Sequence, residues 1–150
     1  ISTIFSWKTW NHGHRLRHSI YNMFKDSGKI NFYGSGCDKP IDLKVDGLKD
    51  YRFSVVIENS IESDYFTEKL LDCFLTGTIP IYWGTKNIQN YFDTNGVIFI
   101  NDENELSTII DTLDVELYNS KINSIQSNFE SAKKYIYPEK IIETYLNENV

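Results

Sequence analysis

The hydrophobic residues of this chain form two alternating patterns. Short apolar runs rich in β-branched and aromatic residues predict β-strands over residues 2–6, 30–33, 53–57, 79–83 and 96–100. Between them, apolar residues recur every three or four positions, which predicts helices over residues 13–27, 65–75, 103–113 and 116–135, and a last helix from Pro138 to about Leu146. Gly28 and Gly77 are placed to end the first two helices, and Asp64 is placed to cap the start of the second.

This alternation predicts the fold class. Strands separated by helices favour an α/β, Rossmann-like fold, in which a parallel sheet lies between two layers of helices. No repeat, low-complexity segment or linker interrupts the 150 residues, so we expect a single domain over residues 1–150. Ligands of such sheets bind beyond the carboxyl ends of the strands, which directs attention to the residues after Ile57 and Trp83.

The charge of the chain is negative overall but positive at its start. Fifteen Lys and Arg stand against 21 Asp and Glu, and the formal charge of −6 disfavours unspecific binding to nucleic acid or to an anionic membrane. The first 30 residues instead carry five cations and one carboxylate, so an anionic ligand would find partners there. No run approaches the ~20 apolar residues of a membrane span. Two isolated cysteines predict reduced thiols and a cytoplasmic location, with peripheral attachment of a longer polypeptide to a membrane left open.

A dense polar segment, residues 58–69, follows the buried strand 53–57. The start of a helix presents unpaired N–H groups and a partial positive charge, which favours phosphate. Lys69 could add a full charge to such a site, and Arg17 could clamp a diphosphate with its planar fork. Two other interpretations stay open: Glu68 and Lys69 could form an ordinary solvated helix face, and Asn59 could be a turn residue that bonds its local backbone.

Three further motifs are weaker signals of chemistry. The acidic residues of 62–64 could hold a divalent metal ion, but a helix cap explains Asp64 more simply. His14 and His18 are one turn apart, but no acidic or cysteine partner completes a zinc site. Residues 34–36 lack the third glycine and the following helix of a dinucleotide-binding loop. We therefore expect neither a metal nor a cofactor.

Three blocks of the sequence carry a family resemblance. Residues 51–60, 64–72 and 77–84 closely resemble, in order and spacing, the signature of the α1,3/α1,4-fucosyltransferases, glycosyltransferase family 10. Residues 92–93 and 99–102 continue the match, and residues 17–22 resemble the shorter Arg-containing helix start of the family. The match is strongest over residues 51–102, about a third of the chain.

The resemblance implies a GT-B architecture of two Rossmann-like halves, of which this chain is the C-terminal, donor-binding half. Family members transfer fucose from GDP-fucose to a glycan acceptor, such as a GlcNAc-containing chain, with inversion and generally without a catalytic metal. The general base belongs to the N-terminal acceptor half, which this chain lacks. The resemblance therefore places no catalytic base here, and we expect the isolated chain to bind donor and to transfer little or no sugar.

The resemblance also assigns roles to single residues. Arg17 and Lys69 would neutralise the diphosphate, and Glu68 would hold hydroxyls of the ribose or of the sugar. Three more residues would border or support the same pocket: Tyr65, Asn59 and Glu58. Two alternative functions stay open, namely a non-catalytic nucleotide-binding or interaction module with the same fold and a glycosyltransferase that uses another nucleotide sugar.

Overall fold

The computed structural model describes residues 1–136 of the chain. Within this range five parallel strands form one sheet in the order β2-β1-β3-β4-β5. Their bounds are Ser2–Ile4 for β1, Asn31–Tyr33 for β2, Phe53–Ile57 for β3, Ile79–Trp83 for β4 and Ile98–Phe99 for β5. The strands predicted over residues 53–57 and 79–83 are confirmed with the same bounds, and the other three are shorter than the apolar runs suggest.

Five α-helices pack around this sheet in the described part of the chain. Their bounds are His12–Phe24 for α1, Glu68–Leu75 for α2, Glu103–Ile109 for α3, Val115–Ser120 for α4 and Ile122–Lys133 for α5. None of the helices found in residues 1–136 has the length and apolar character that crossing a membrane requires. The helix predicted after Pro138 lies outside the described residues.

Alternate positions of the strands build two hydrophobic layers, one on each face of the sheet. On one face, Phe53, Val55 and Ile57 of β3 pack with α1 and α3. On the other face, Val56 of β3 and Tyr82 of β4 pack with α2 and α5. Because successive residues of a strand point to opposite faces, a strand that is apolar at every position needs cover on both. The predicted sheet between two helical layers is confirmed.

The strand order reverses between β1 and β3. The chain runs from β1 through α1 to β2 on one side, returns past β1 to β3, and continues through α2 to β4 on the other side. Crossovers between parallel strands are right-handed, so α1 and α2 cover opposite faces. Both helices begin at the carboxyl edge of the sheet, beside the gap between the ends of β1 and β3. Ligands of doubly wound sheets bind at this kind of gap.

The predicted start of the second helix is wrong. The helix begins at Glu68 rather than near Tyr65, and the hydroxyl of Thr67 rather than Asp64 caps it. Asp64 has a positive φ of 59°, and its carboxylate accepts hydrogen bonds from the hydroxyls of Ser63 and Tyr91. The periodic apolar residues do not mark this boundary, because Thr67 is held by the carboxylate of Glu58, the residue that follows β3.

Residues 116–135 are helical over most of their length, as predicted, but they form two helices that meet at Lys121 rather than one. There the backbone has a ψ of 10°, and the Lys121 ammonium donates to the carbonyl oxygen of Asn95. The amide of Asn128, on α5, exchanges two hydrogen bonds with the backbone of Asp93. These contacts with the turn before β5 determine the direction of α5. They cannot be predicted from an apolar repeat of helical period.

We expect Gly13→Ala to destabilise the fold, because α1 begins directly against the segment that follows β3. A methyl group at Gly13 would overlap the carbonyl oxygen of Glu58, and the Gly13 N–H donates to the carbonyl oxygen of Asn59 at 3.2 Å. Overpacking of this kind lowers the free energy of unfolding by about 1–3 kcal/mol.

Urea unfolding measures this loss. Asn22→Ala, at an exposed position of the same helix, is the control, and its free energy of unfolding should stay within about 0.5 kcal/mol of that of the parent. Equal stability of the two variants would contradict the tight approach of α1 to β3.

Candidate functional site

A cavity of about 250 Å³ opens between the carboxyl ends of β1 and β3. Residues of both strand ends line it, together with three residues that the sequence singles out: Arg17, Glu68 and Lys69. Arg17 comes from α1 and the other two come from α2, so they approach the cavity from opposite faces of the sheet. The structure therefore brings these three residues together at one site.

Arg17 is buried, and it is fixed by the end of β3. Its Nε donates to the carbonyl oxygen of Ile57 at 3.1 Å, and Nη2 donates to the same oxygen and, at 2.9 Å, to Oδ1 of Asn59. Burial lowers the pKa of the guanidinium, and the charge of Glu58 opposes this shift. The Nε–Nη2 side of the fork is thus occupied by the protein, while Nη1 makes no hydrogen bond within residues 1–136.

Glu58, the residue after β3, is fully buried and joins this strand to α2. One carboxylate oxygen accepts from the backbone N–H of Thr67 at 2.9 Å, and the other accepts from the Thr67 hydroxyl at 2.8 Å and from the Lys69 ammonium at 3.2 Å. The carboxylate therefore lies at the N-terminus of α2, where the helix dipole favours negative charge. Lys69 also donates to the Thr67 hydroxyl at 3.0 Å.

Glu68 lies beside a second cation, Lys44, which the sequence alone does not reveal as a site residue. The Lys44 ammonium is 3.1 Å from Oε1 of Glu68 and 3.6 Å from a carboxylate oxygen of Asp72. Burial acts to raise the pKa of Glu68, but Lys44 and Lys69 outweigh it and hold this pKa below its ordinary value. Lys44 and Asp72 line the same cavity. Lys44 lies in the long β2–β3 connection, where no local pattern marks it.

The other three predicted site residues, Asn59, Tyr65 and Glu58, do not line the cavity. Asn59 accepts the hydrogen bond from Arg17, and its backbone carbonyl accepts from Gly13, so it supports Arg17 and the start of α1. Tyr65 precedes α2, and burial together with the charge of Glu58 raises the pKa of its phenol. Glu58 contacts the cavity lining through the hydrogen bond that it accepts from Lys69. The interpretation of Asn59 as a residue that bonds only its local backbone is therefore wrong.

The two weaker metal motifs have other contacts. The Glu62 carboxylate accepts from the Ser60 hydroxyl, and Nε2 of His18 lies 3.1 Å from the carbonyl oxygen of Lys8. Among residues 1–136 there is no group of three or more His, Cys, Asp or Glu side chains that could hold a metal ion.

Comparison with known proteins gives a family match over most of the chain. The model for the C-terminal part of glycosyltransferase family 10 (fucosyltransferase) matches residues 2–138. The human 4-galactosyl-N-acetylglucosaminide 3-alpha-L-fucosyltransferase 9 is 33% identical over 104 residues, which are 67% of this chain and 29% of that protein. A putative fucosyltransferase-like protein of Arabidopsis thaliana is 40% identical over 72 residues, 46% of this chain and 14% of its own length. The chain thus spans less than a third of the curated relatives that it matches.

Solved structures give the same fold. A crystal structure of alpha1,3-fucosyltransferase with GDP-fucose superposes with a TM-score of 0.64 at 21% identity, over 81% of this chain and 37% of that one. A crystal structure of alpha1,3-fucosyltransferase with GDP superposes with a TM-score of 0.65 at 18% identity, over 89% of this chain and 45% of that one. The predicted fold class, one Rossmann-like half of a GT-B architecture, is confirmed.

We expect Glu58→Ala to lower the free energy of unfolding much more than Glu68→Ala. Removal of the buried carboxylate leaves the Thr67 N–H without its acceptor and the Lys69 ammonium without its counter-charge, which should cost about 3 kcal/mol. Glu68 is more than half exposed, and an exposed pair such as Lys44–Glu68 contributes about 0–1 kcal/mol. Urea unfolding of both variants tests the difference, and similar losses would show that Glu58 does not hold β3 and α2 together.

Proposed function

The chain belongs to glycosyltransferase family 10, the fucosyltransferases, and on this basis we propose that its cavity binds the guanosine diphosphate of GDP-fucose. The observation that carries the proposal is the convergence of Arg17 and Lys69 on one cavity at the reversal of strand order. The human relative named above is a fucosyltransferase, and two of the similar structures contain GDP or GDP-fucose.

The free donors at the site suit a diphosphate. An ammonium has three N–H groups. Within residues 1–136 Lys69 donates to Glu58 and Thr67, which leaves one N–H that can turn to a phosphate oxygen. Nη1 of Arg17 can do the same from the opposite face of the sheet. Both side chains are already held by the protein, so they lose little conformational freedom on binding. Each charge-assisted hydrogen bond to the phosphates then adds about 1.5–3 kcal/mol to the free energy of binding. With two cations in place, the proposed binding needs no metal ion.

The same cations support the proposed transfer. In an inverting reaction, the acceptor hydroxyl oxygen bonds to the anomeric carbon of fucose while the bond to the β-phosphate oxygen breaks. GDP leaves with the electron pair, and Arg17 and Lys69 stabilise the negative charge that develops on it. The acceptor proton passes to a carboxylate base of an N-terminal acceptor half. We assign no base to this chain, and as a donor half alone it should transfer little or no sugar.

Glu68 is the proposed recognition group for hydroxyls of the donor. Its Oε1 is bonded to Lys44, whereas Oε2 makes no hydrogen bond within the described residues, so Oε2 can accept from a hydroxyl. The position of Glu68 in the first turn of α2, next to Lys69, places this acceptor beside the proposed phosphate site. Ribose and fucose both carry suitable hydroxyls.

GDP binding tests the phosphate assignment. At a GDP concentration 100 times its dissociation constant, the parent should gain about 2.7 kcal/mol of stability, or about 5–10 °C in Tm. Lys69→Met and Arg17→Lys should each weaken GDP binding about tenfold or more, because each removes a charged donor from its position. Lys25→Met, at the far end of α1, is the matched control and should bind GDP like the parent.

Calorimetric titration of the four proteins with GDP measures these affinities without a coupled assay. No thermal shift of the parent at millimolar GDP would refute nucleotide binding. Parent-like affinity in both site variants would refute the assignment of the cations.

Glu68→Gln separates the two candidate hydroxyl groups. If Glu68 accepts from ribose, the variant should bind GDP and GDP-fucose with equally reduced affinity, by about three- to tenfold. If it accepts from fucose, only GDP-fucose binding should weaken. Titration with GDP, 2′-deoxy-GDP and GDP-fucose distinguishes the cases, and unchanged affinity for all three would remove Glu68 from donor recognition.

A further inference from the structure

Lys44 joins two separate parts of the cavity wall. It belongs to the turn Lys44–Gly47 in the β2–β3 connection, and its ammonium contacts two carboxylates of α2. Glu68 and Asp72 are four residues apart on one helix, so their side chains share a face and repel each other. Lys44 lies between them, at 3.1 Å and 3.6 Å, and all three side chains line the cavity.

This arrangement divides the two oxygens of Glu68 between different tasks. Oε1 accepts from the Lys44 ammonium, and Oε2 stays available within residues 1–136. A carboxylate on a mobile side chain would sample many rotamers, whereas one held by a cation presents its second oxygen in a narrower range of directions. The exposed Lys44–Glu68 pair adds little to stability, so its effect on the position of Glu68 is the larger physical consequence.

We propose that Lys44 is a positioning residue for donor recognition: it holds Glu68 oriented so that the free oxygen accepts a hydroxyl of the nucleotide sugar. The inference rests on the proposed function, because it needs a donor in the cavity. Lys44 acts through Glu68 and has no independent contact with the donor.

The charges around Glu68 extend the proposal to pH dependence. Lys44 from the β2–β3 connection and Lys69 and Asp72 from α2 act on its carboxylate, and Glu68 in turn acts on Arg17 of α1. Lys44 and Lys69 hold the pKa of Glu68 below its ordinary value, while burial acts in the opposite direction. Without Lys44 this pKa should rise, so the carboxylate should become protonated at a higher pH as the solution is acidified.

A double-mutant cycle tests the proposal. Lys44→Met should weaken the binding of GDP-fucose, which carries both candidate hydroxyl groups, by about three- to tenfold. Adding Lys44→Met to Glu68→Gln should not weaken it further. Lys44→Arg should restore most of the affinity. Lys49→Met is the matched control, because Lys49 lies in the same connection and pairs with Asp46 at 2.6 Å, outside the cavity lining.

The affinity of Lys44→Met should also fall more steeply than that of the parent as the pH is lowered from 7 to 4, into the ordinary pKa range of a glutamate, and Glu68→Gln should remove the difference. Parent-like affinity of Lys44→Met, or additive losses in the double variant, would overturn the inference, since the second result means that Lys44 contacts the donor by itself. Failure of the parent to bind GDP would instead refute the proposed function.

Discussion

The buried carboxylate of Glu58 is the interaction on which the cavity depends. It binds the backbone and hydroxyl of Thr67 and the ammonium of Lys69, and so connects the end of β3 with the first turn of α2. A carboxylate can be buried at acceptable free energy only where donors and a cation surround it. The start of α2, the position of Lys69 and one wall of the cavity therefore follow from the same set of hydrogen bonds.

The reversal of strand order supplies the second constraint. Because α1 and α2 cover opposite faces of the sheet, Arg17 and Lys69 reach the gap between β1 and β3 from opposite sides. Arg17 is held by the carbonyl oxygen of Ile57 and by Asn59, while the absence of a side chain at Gly13 lets α1 begin against the same segment. Two helices and one strand end thus position a pair of cations with little freedom left to lose on binding.

The cations and carboxylates of the site are already matched to one another. Lys69 is paired with Glu58, and Lys44 lies between Glu68 and Asp72. Lys69 and Glu68 nevertheless keep hydrogen-bonding capacity within the described residues, which suits a ligand that combines a diphosphate with hydroxyl groups. The family match covers residues 2–138, yet the chain spans less than a third of its curated relatives. In the proposed function these residues accordingly hold and activate the donor, and the base for the acceptor belongs to another half.

The sequence by itself determined β3 and β4, the alternation of strands and helices, and the prediction that Arg17, Glu68 and Lys69 lie around one cavity. The strands and helices follow from the local hydrophobic periodicity and the site residues from a specific motif, and both can be recognised in the sequence. Only the tertiary structure decided where α2 begins, how Lys121 separates α4 from α5, and that Lys44 reaches Glu68. Each of these depends on hydrogen bonds or ion pairs between residues from different elements, which no periodicity within one segment can encode.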